Sequence, residues 1–444
     1  MLRNRPTHAD DVRPSKKSKS ASGLPSRPVQ KTKTLSSRPK VTTIPAATLS
    51  EPPKDARVPS RPDKKGKKRA SDVPETLPST FKVIAGSYEK LLYGLEGTVS
   101  KEGSELQFHL KPMFIFPAHI SSVKAVASSP NGGKWLATGS SDEIVKVWDL
   151  RRRKEIGGLM HHEGSITHLE FPSRSHLLSA SEDGTLCLFH ARDWSVLRTL
   201  KGHKGYVNSV AVHPSGKVAL SVGKDRTLRM WDLMRGKGSA SMKLGIEGEL
   251  VRWSMDGTLF AVQSMSKIDL YTTDMTLVHT LDHRSRLHDV RFCRRVGDVG
   301  EVLLAAAENK MLSIYDVPSD RTKTPTIIAA MVGHTNRVKA VDTLRVSLPG
   351  TPSSTTLVST ISSDGKVRVY DLAAIATESP TRELLEISPV VEYDTKGSRL
   401  TCMTMADGDS VPQPSNGKRA RETEDPGSDG DSAVESDESD GWQS

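Results

Sequence analysis

"SSDEIVKVWDL", residues 140–150, sets the apolar side chains Ile144, Val145, Val147 and Trp148 between two carboxylates, Asp142 and Asp149. The run reads as a short strand with a marked end. A near-copy, "GKDRTLRMWDL", returns at 223–233. Aligned on the closing aromatic, weaker copies follow: "SEDGTLCLF" ends at Phe189, "MSKIDLY" at Tyr271, "ENKMLSIY" at Tyr315 and "SSDGKVRVY" at Tyr370. Successive marks from Trp148 lie 41, 42, 40, 44 and 55 residues apart. The stretched last interval contains "VSLPGTPSST", 346–355, whose Pro, Gly and Ser content predicts a loop insertion.

A second signature opens each unit. "GHKGYVNSVAV" starts at Gly202 and "GHTNRVKAV" at Gly333; "AHISSVKAV", "HEGSITHLEF" and "HRSRLHDVRF" repeat it around His119, His162 and His283. A period of about 40–45 residues holding several short strands resembles the blade of a WD-repeat β-propeller. In such blades a buried hydrogen-bond chain runs from Asp to His to Ser or Thr to Trp. The resemblance implies that chain for His119, Thr138, Asp142 and Trp148; for His162, Ser179 and Asp183; for His203, Ser221, Asp225 and Trp231; and for His334, Thr360 and Asp364. A carboxylate buried without partners is costly, whereas a satisfied network fixes one geometry. The same residue types make a nucleophilic triad. Their recurrence at fixed repeat positions argues for struts, since one enzyme does not need several triads. No Gly-x-Ser-x-Gly elbow, P-loop or metal-spaced His pair is present, so neither an enzyme nor a cofactor is expected.

Six units are visible between 119 and 371, and a seventh is split. "AGSYEKLLYGLEG", 85–97, aligns with "TGSSDEIVKVWDL" when Gly86 sits on Gly139; Glu89 then takes the Asp place and Leu95 the Trp place. "ELQFHLKPMFIF", 105–116, follows as an outer strand, and "GSRLTCMTM", 397–405, matches an innermost one. The expected fold is all-β, a seven-bladed propeller over 81–405 whose last blade is closed by 397–405. The fourth unit, 239–271, lacks both His and Asp.

The 444 residues carry a net charge of +10, unevenly spread. Residues 1–80 hold 19 Lys and Arg against 7 Asp and Glu, with no aromatic side chain; residues 406–444 hold 11 acidic against 3 basic side chains. Neither can bury enough apolar surface to offset ordering entropy, so both read as disordered tails, one basic and one acidic. "KKSK" (16–19), "KKGKKR" (64–69) and "GKRAR" (417–421) are runs of the nuclear-import type, or solubilising charge. Ser428 and Ser432 each have an acid three residues on, as an acid-directed kinase prefers. Cys187, Cys293 and Cys402 are too scattered for a metal or redox pair. The N-terminus has no apolar signal region, its Asp10 and Asp11 argue against a mitochondrial transit peptide, and no run is long enough to span a membrane.

"FKVIAGSYEKLLYGLEG", 81–97, together with the split blade, the degenerate fourth unit and the two tails, resembles the maintenance-of-killer and p21-activated kinase-interacting protein family. That resemblance implies a non-catalytic nucleolar factor in assembly of the large (60S) ribosomal subunit. Its partners would be pre-60S assembly factors and ribosomal proteins, and it would act as a monomer within a large particle. A signalling adaptor restraining a p21-activated kinase and a chromatin-binding propeller are the alternatives. Loop arithmetic puts Arg151, Arg152, Arg153, Lys154, Arg235, Lys237, Arg294 and Arg295 on one face, suited to an RNA backbone or an acidic partner, or to ordinary solvated charge. Lys204, Lys224, Arg226, Arg284, Arg286 and Arg337 fall on the other face, the one on which WD propellers more often dock proteins. No aromatic stacking motif accompanies either set, so RNA contact, if made, is non-specific.

Overall fold

A computed structural model describes residues 77–408, except 104, 298–299, 350–352 and 378–383. The Lys-rich runs, Ser428 and Ser432 lie outside the described residues; at the inner ends of the tails Thr80 already belongs to the first strand and Ala406 and Asp407 to the last, where backbone pairing orders them.

The chain opens with β1 (Thr80–Ser87), β2 (Leu91–Glu102) and β3 (Glu105–Pro117). Blade one follows as β4 (Val123–Ser128), β5 (Trp135–Ser140), β6 (Val145–Asp149) and β7 (Lys154–Leu159). Blade two is β8 (Ile166–Ser173), β9 (His176–Ser181), β10 (Thr185–His190) and β11 (Val196–Lys201). Blade three is β12 (Val207–Val212), β13 (Val218–Gly223), β14 (Thr227–Asp232) and β15 (Lys237–Lys243). Blade four is β16 (Leu250–Trp253), β17 (Leu259–Ser264), β18 (Lys267–Thr272) and β19 (Leu277–Asp282). Blade five is β20 (Leu287–Arg294), β21 (Glu301–Ala307), β22 (Leu312–Val317) and β23 (Thr326–Met331). Blade six begins with β24 (Val338–Ser347), β25 (Ser354–Ser362) and β26 (Lys366–Asp371). A short helix α1 (Ala374–Thr377) and β27 (Leu385–Ile387) precede its outer strand β28 (Val391–Asp394). The last strand, β29 (Leu400–Asp407), pairs antiparallel with β1, with Val83 opposite Met405 and Ala85 opposite Met403. It makes the innermost strand of blade seven, in the order β29-β1-β2-β3. The seven sheets form a seven-bladed propeller.

Within each blade the strands run a, b, c and d from the centre outward. Register slips by one residue at the closing aromatic in several blades, as between Val147 and Trp148 and between Met230 and Trp231. The same slip at Gly94 and Leu95 puts Leu95 in the aromatic's place in blade seven. Gly86 and Gly139 share a reason for being glycine. A Cβ on Gly86 would lie 2.6 Å from Val123 Cγ1, and one on Gly139 2.4 Å from Ile166 Cγ2. At both sites the next blade's first inner residue packs against the bare backbone.

The apolar core lies between blades, sheet face on sheet face. Phe81, Val83 and Met405 of blade seven pack with Leu357 and Val367 of blade six; Ile84 and Leu92 pack with Val123 and Trp148 of blade one. The split blade is therefore gripped on both sides. Two features depart from the sequence reading. The stretch 346–355 connects two strands as expected over 348–353, but its ends are strand: Val346 is buried in β24 and pairs with Thr355 of β25. The β-branched Val346 and Thr355 suit the half-buried sheet that extends into both ends of the stretch. Blade five also gains a fifth strand, because β27 returns parallel to β23 from the blade-six connection.

Deleting residues 400–407 is expected to leave β1 as an unpaired inner edge and to promote association. Size-exclusion chromatography should show aggregates, and the melting temperature should fall. A monomeric deletion variant of unchanged stability would refute closure through β29.

Candidate functional site

The recurrent polar residues come together as struts. In blade one, Trp148 Nε1–H donates to Thr138 Oγ1 at 2.9 Å; Thr138 Oγ1 is 2.8 Å from His119 Nε2, and His119 Nδ1 is 3.0 Å from Asp142 Oδ2. Blade three repeats this through Trp231, Ser221, His203 and Asp225 at 2.8, 2.7 and 3.0 Å. The donor order sets the protons. The indole donates to the hydroxyl, the hydroxyl donates to Nε2, and Nδ1–H donates to the carboxylate. The imidazole is then neutral, in agreement with burial lowering the pKa of His119 and His203. Burial alone would raise Asp225. Hydrogen bonds from the Lys204 N–H, the Thr227 hydroxyl and His203 outweigh it and leave the carboxyl below its ordinary range. The Asp thus ties the turn before the c strand to the loop entering the a strand.

Other blades vary the theme. Blade two keeps His162, Ser179 and Asp183 at 2.7 and 2.8 Å, and Ser179 turns to the Cys187 carbonyl where no indole is present. In blade six His334 lies 2.7 Å from Thr360 and 3.2 Å from Asp364. Arg368, which the repeat pattern did not single out, donates to His334 Nδ1 at 2.6 Å and to Asp364 at 3.3 Å, and pairs with Glu392 at 2.7 Å. In blade five His283 contacts Ser313 and the Ser285 carbonyl, while Asn309 caps its own turn. Glu89 accepts from Arg399 N–H at 3.0 Å, joining the b–c turn of blade seven to the entry of β29. Blade four replaces the strut by stacking, with Phe260 and Tyr271 centroids 5.3 Å apart.

Thr138, Ser179, Ser221 and Thr360 are all 0% exposed, so no substrate reaches these hydroxyls. Cys293 and Cys402 are pushed up to about 12 by burial, far from thiolate character at neutral pH. Among the described residues no group of three His, Cys, Asp or Glu side chains is placed to hold a metal.

The central channel holds charges that the repeat signatures hid. A cavity of about 470 Å³ is lined by the a strands. Inside it, Glu170 accepts from Val212 N–H of the next blade at 3.0 Å, Asp289 from Val341 N–H at 3.0 Å, and Asp342 from Met405 N–H at 2.8 Å. Arg252 pairs with Asp289 at 3.3 Å and Arg291 with Asp342 at 2.7 Å. Inner-strand carboxylates therefore stitch neighbouring blades together. Their signal was a charge alternating with the apolar residues of the a strand, as in "HDVRF" at 288–292.

Both basic sets lie where loop arithmetic placed them. Arg151, Arg152 and Arg153 form the exposed c–d turn of blade one, with Lys154 opening β7; the Arg151 and Arg152 N–H groups both cap Asp149. Arg235 and Lys237 are exposed at the same turn of blade three. Arg174, Arg192 and Arg198 of blade two, and Lys217 of blade three, fill the interval between them, and sequence reading missed these. Arg294 and Arg295 stand apart in blade five, where Arg295 lies 3.6 Å from Asp316. On the other face Lys204, Lys224, Arg226 and Arg284 are exposed, whereas Arg286 pairs with Glu249 and Arg337 approaches Glu308. The first face thus carries a continuous basic arc over blades one to three.

The family model for the WD domain, G-beta repeat, matches residues 110–149, 153–190, 194–232 and 325–371. The chain is 33% identical over 324 residues to a zebrafish (Danio rerio) p21-activated protein kinase-interacting protein 1-like, covering 73% of this chain and 80% of that protein. It is 32% identical over 396 residues to Protein MAK11 of Saccharomyces cerevisiae, covering 80% and 90%, and 32% identical over 326 residues to human p21-activated protein kinase-interacting protein 1, covering 73% and 76%.

Asp225→Ala should cost about 1–3 kcal/mol, because it orphans His203 and frees two turns. The native carboxylate, depressed in the fold, contributes above the ordinary aspartate range and loses its contribution as pH falls through the folded pKa. The deficit should therefore shrink on acidification, measured by melting from pH 7 to pH 3. Glu170 has the opposite sign. Burial in the channel raises it to about 7, so the fold favours its neutral form and loses that contribution as pH rises through 7. Glu170→Gln, which keeps the Val212 contact, should melt like the native chain at pH 5 and above it at pH 8.

Proposed function

The chain belongs to the WD-repeat family of the p21-activated kinase-interacting and MAK11 proteins, and from that premise we propose that it is a scaffold for assembly of the large ribosomal subunit in the nucleolus. What carries the reading is the match to the yeast protein along nine-tenths of that protein's length, joined to a ring that offers surfaces in place of a reactive centre. The family resemblance noted in "FKVIAGSYEKLLYGLEG" points to the same role. The proposed partners are pre-60S assembly factors and ribosomal proteins. The basic arc over blades one to three adds non-specific contact with ribosomal RNA phosphates. The Lys-rich runs at 16–19 and 64–69 suit a nuclear address.

A second reading rests on the names of the animal relatives, which are called interactors of a p21-activated kinase. An adaptor that binds such a kinase would dock it through the d–a and b–c face, where Lys204, Lys224 and Arg284 are exposed. The two readings part on sedimentation: a ribosome-assembly scaffold co-sediments with pre-60S particles, and a kinase adaptor does not.

Phosphate contacts release counterions, so the association should weaken steeply with salt. Replacing Arg151, Arg152, Arg153, Arg235 and Lys237 by Ser should flatten that dependence and reduce co-sedimentation on sucrose gradients. Thermal stability should hold, since exposed charges contribute little to the fold. Normal co-sedimentation of the variant at every salt concentration would remove RNA contact from the proposal; absence of the native chain from pre-60S fractions would remove the proposal itself.

A further inference from the structure

The basic arc encloses an apolar pocket. A cavity of about 420 Å³ opens between blades two and three on the a–b and c–d face, walled by Pro172, Leu188, Leu197, Pro214, Leu233 and Met234. Met234, 69% exposed, and Leu197, 37% exposed, stand at the mouth with the exposed Pro214, while Leu188 and Leu233 form the buried base. The surrounding loops supply cations: Arg174 and Arg192 from blade two, Lys217, Arg235 and Lys237 from blade three, with Arg198 in the wall itself. The nearby acids are engaged locally. Asp193 accepts from His190 and Ser195, and Asp232 caps the Met234 and Arg235 N–H groups. An apolar slot with a cationic rim selects a ligand that is acidic and carries one large apolar anchor.

The chain contains such a segment. Residues 422–444 hold nine Asp and Glu, no Lys or Arg, and a single aromatic side chain, Trp442. The structure also fixes where the route toward it begins. As an a strand, β29 ends on the a–b and c–d face, and its last residue, Asp407, accepts a hydrogen bond from Gly132 N–H. A Cβ on Gly132 would lie 3.7 Å from Arg174 Nη2 and 3.9 Å from Asp407 Oδ2. Arg174 adjoins Ser173, which lines the pocket. The chain therefore leaves the ring on the face that carries the pocket, near the blade-two loop of Arg174, and 34 residues lie between Asp407 and Trp442. A coil of that length has an end-to-end distance of roughly 30 Å, and tethering at such a length gives an effective concentration on the order of millimolar.

We propose that the acidic segment 422–444 docks on this face of its own propeller, with Trp442 seated in the pocket between blades two and three. The indole supplies a large apolar area and a face for the Arg198 guanidinium. The carboxylates on its N-terminal side lie along the cationic loops. The segment then covers part of the arc that a phosphate backbone would use, so acidic tail and polyanion exclude one another there.

The test uses the full chain with all six tryptophans replaced by 5-fluorotryptophan and read by ¹⁹F NMR. The Trp442 resonance is assigned by its loss in Trp442→Phe. It is expected away from the free-indole position and broadened, and to return to that position in both Met234→Glu and Leu197→Glu. Both substitutions are at exposed sites, and the other five resonances report whether the fold is kept. A Trp442 resonance at the free position in the native chain overturns the proposal. So does a displaced resonance that ignores both pocket variants, because the indole then sits elsewhere. A displaced resonance that returns to the free position on tenfold dilution also overturns it, since the segment then binds a second copy. None of these readouts involves pre-ribosomes, so the proposal fails or stands apart from the assembly role.

Discussion

Everything in this molecule depends on one strand pairing, that of β29 with β1. Seven sheets arranged in an arc would expose two unpaired inner surfaces, and each would invite association. Pairing Phe81 with Asp407 removes them by bringing together residues more than three hundred positions apart. The entropy of closing so long a loop grows only slowly with length. The return is collective, because once the ring is closed every blade has two neighbours. The channel carboxylates gain their meaning from this. Asp342 of blade six reaches the Met405 N–H of β29 at 2.8 Å, so the closing strand is held by an acid as well as by its ladder.

The strut residues were legible in the sequence because they recur. Asp225 and Asp142 stand at one position of a repeat, and a single physical need, tying two turns together across a buried His, explains both. Glu89 could be read in the same place although its blade has neither His nor Trp, because Gly86 before it meets the same close approach as Gly139. What did not recur was harder to see. Glu170, Asp289 and Asp342 lie on three different blades, the first and last eight residues after the opening His and Asp289 six, in too few blades to form a signature; their alternation with apolar neighbours marks them. Arg368 joins the His and Asp of the strut in one blade alone. The strand β27 has three residues and owes its conformation to the edge of β23, a tertiary effect that local propensity does not contain. The stretch 346–355 was legible in its middle, where 348–353 join two strands, and misled only at its ends, where Val346 and Thr355 pair across the sheet.

A ring held in this way is a poor place for chemistry and a good place for contact. The Ser, His and Asp sets that resemble reactive groups are spent on one another, with their hydroxyls closed to solvent. What faces outward is loop and outer strand, and charge there can vary without disturbing the struts. The division is visible within single residues' neighbourhoods. Asp149 caps the backbone of Arg151 and Arg152, so the same short turn is rigid in its main chain while its side chains are exposed, Arg151 also donating to the Gly132 carbonyl at 3.1 Å. Rigidity behind and free charge in front is the arrangement a scaffold requires, because partners then meet a surface already ordered.

Charge segregation along the chain acquires a function in that setting. The propeller and the N-terminal segment carry the positive excess, and residues 406–444 carry eleven acids against three bases. A tethered polyanion beside a basic arc acts as a competitor whose concentration never changes. If it holds the arc ten times as often as it leaves it free, the apparent affinity for any other polyanion falls about tenfold, or ~1.4 kcal/mol. Weak, non-specific phosphate contacts are weakened by that factor. A particle that offers protein contacts as well can exceed it. Selectivity for a composite partner over bare RNA then follows from the arithmetic of competition, without any residue on the arc reading a base.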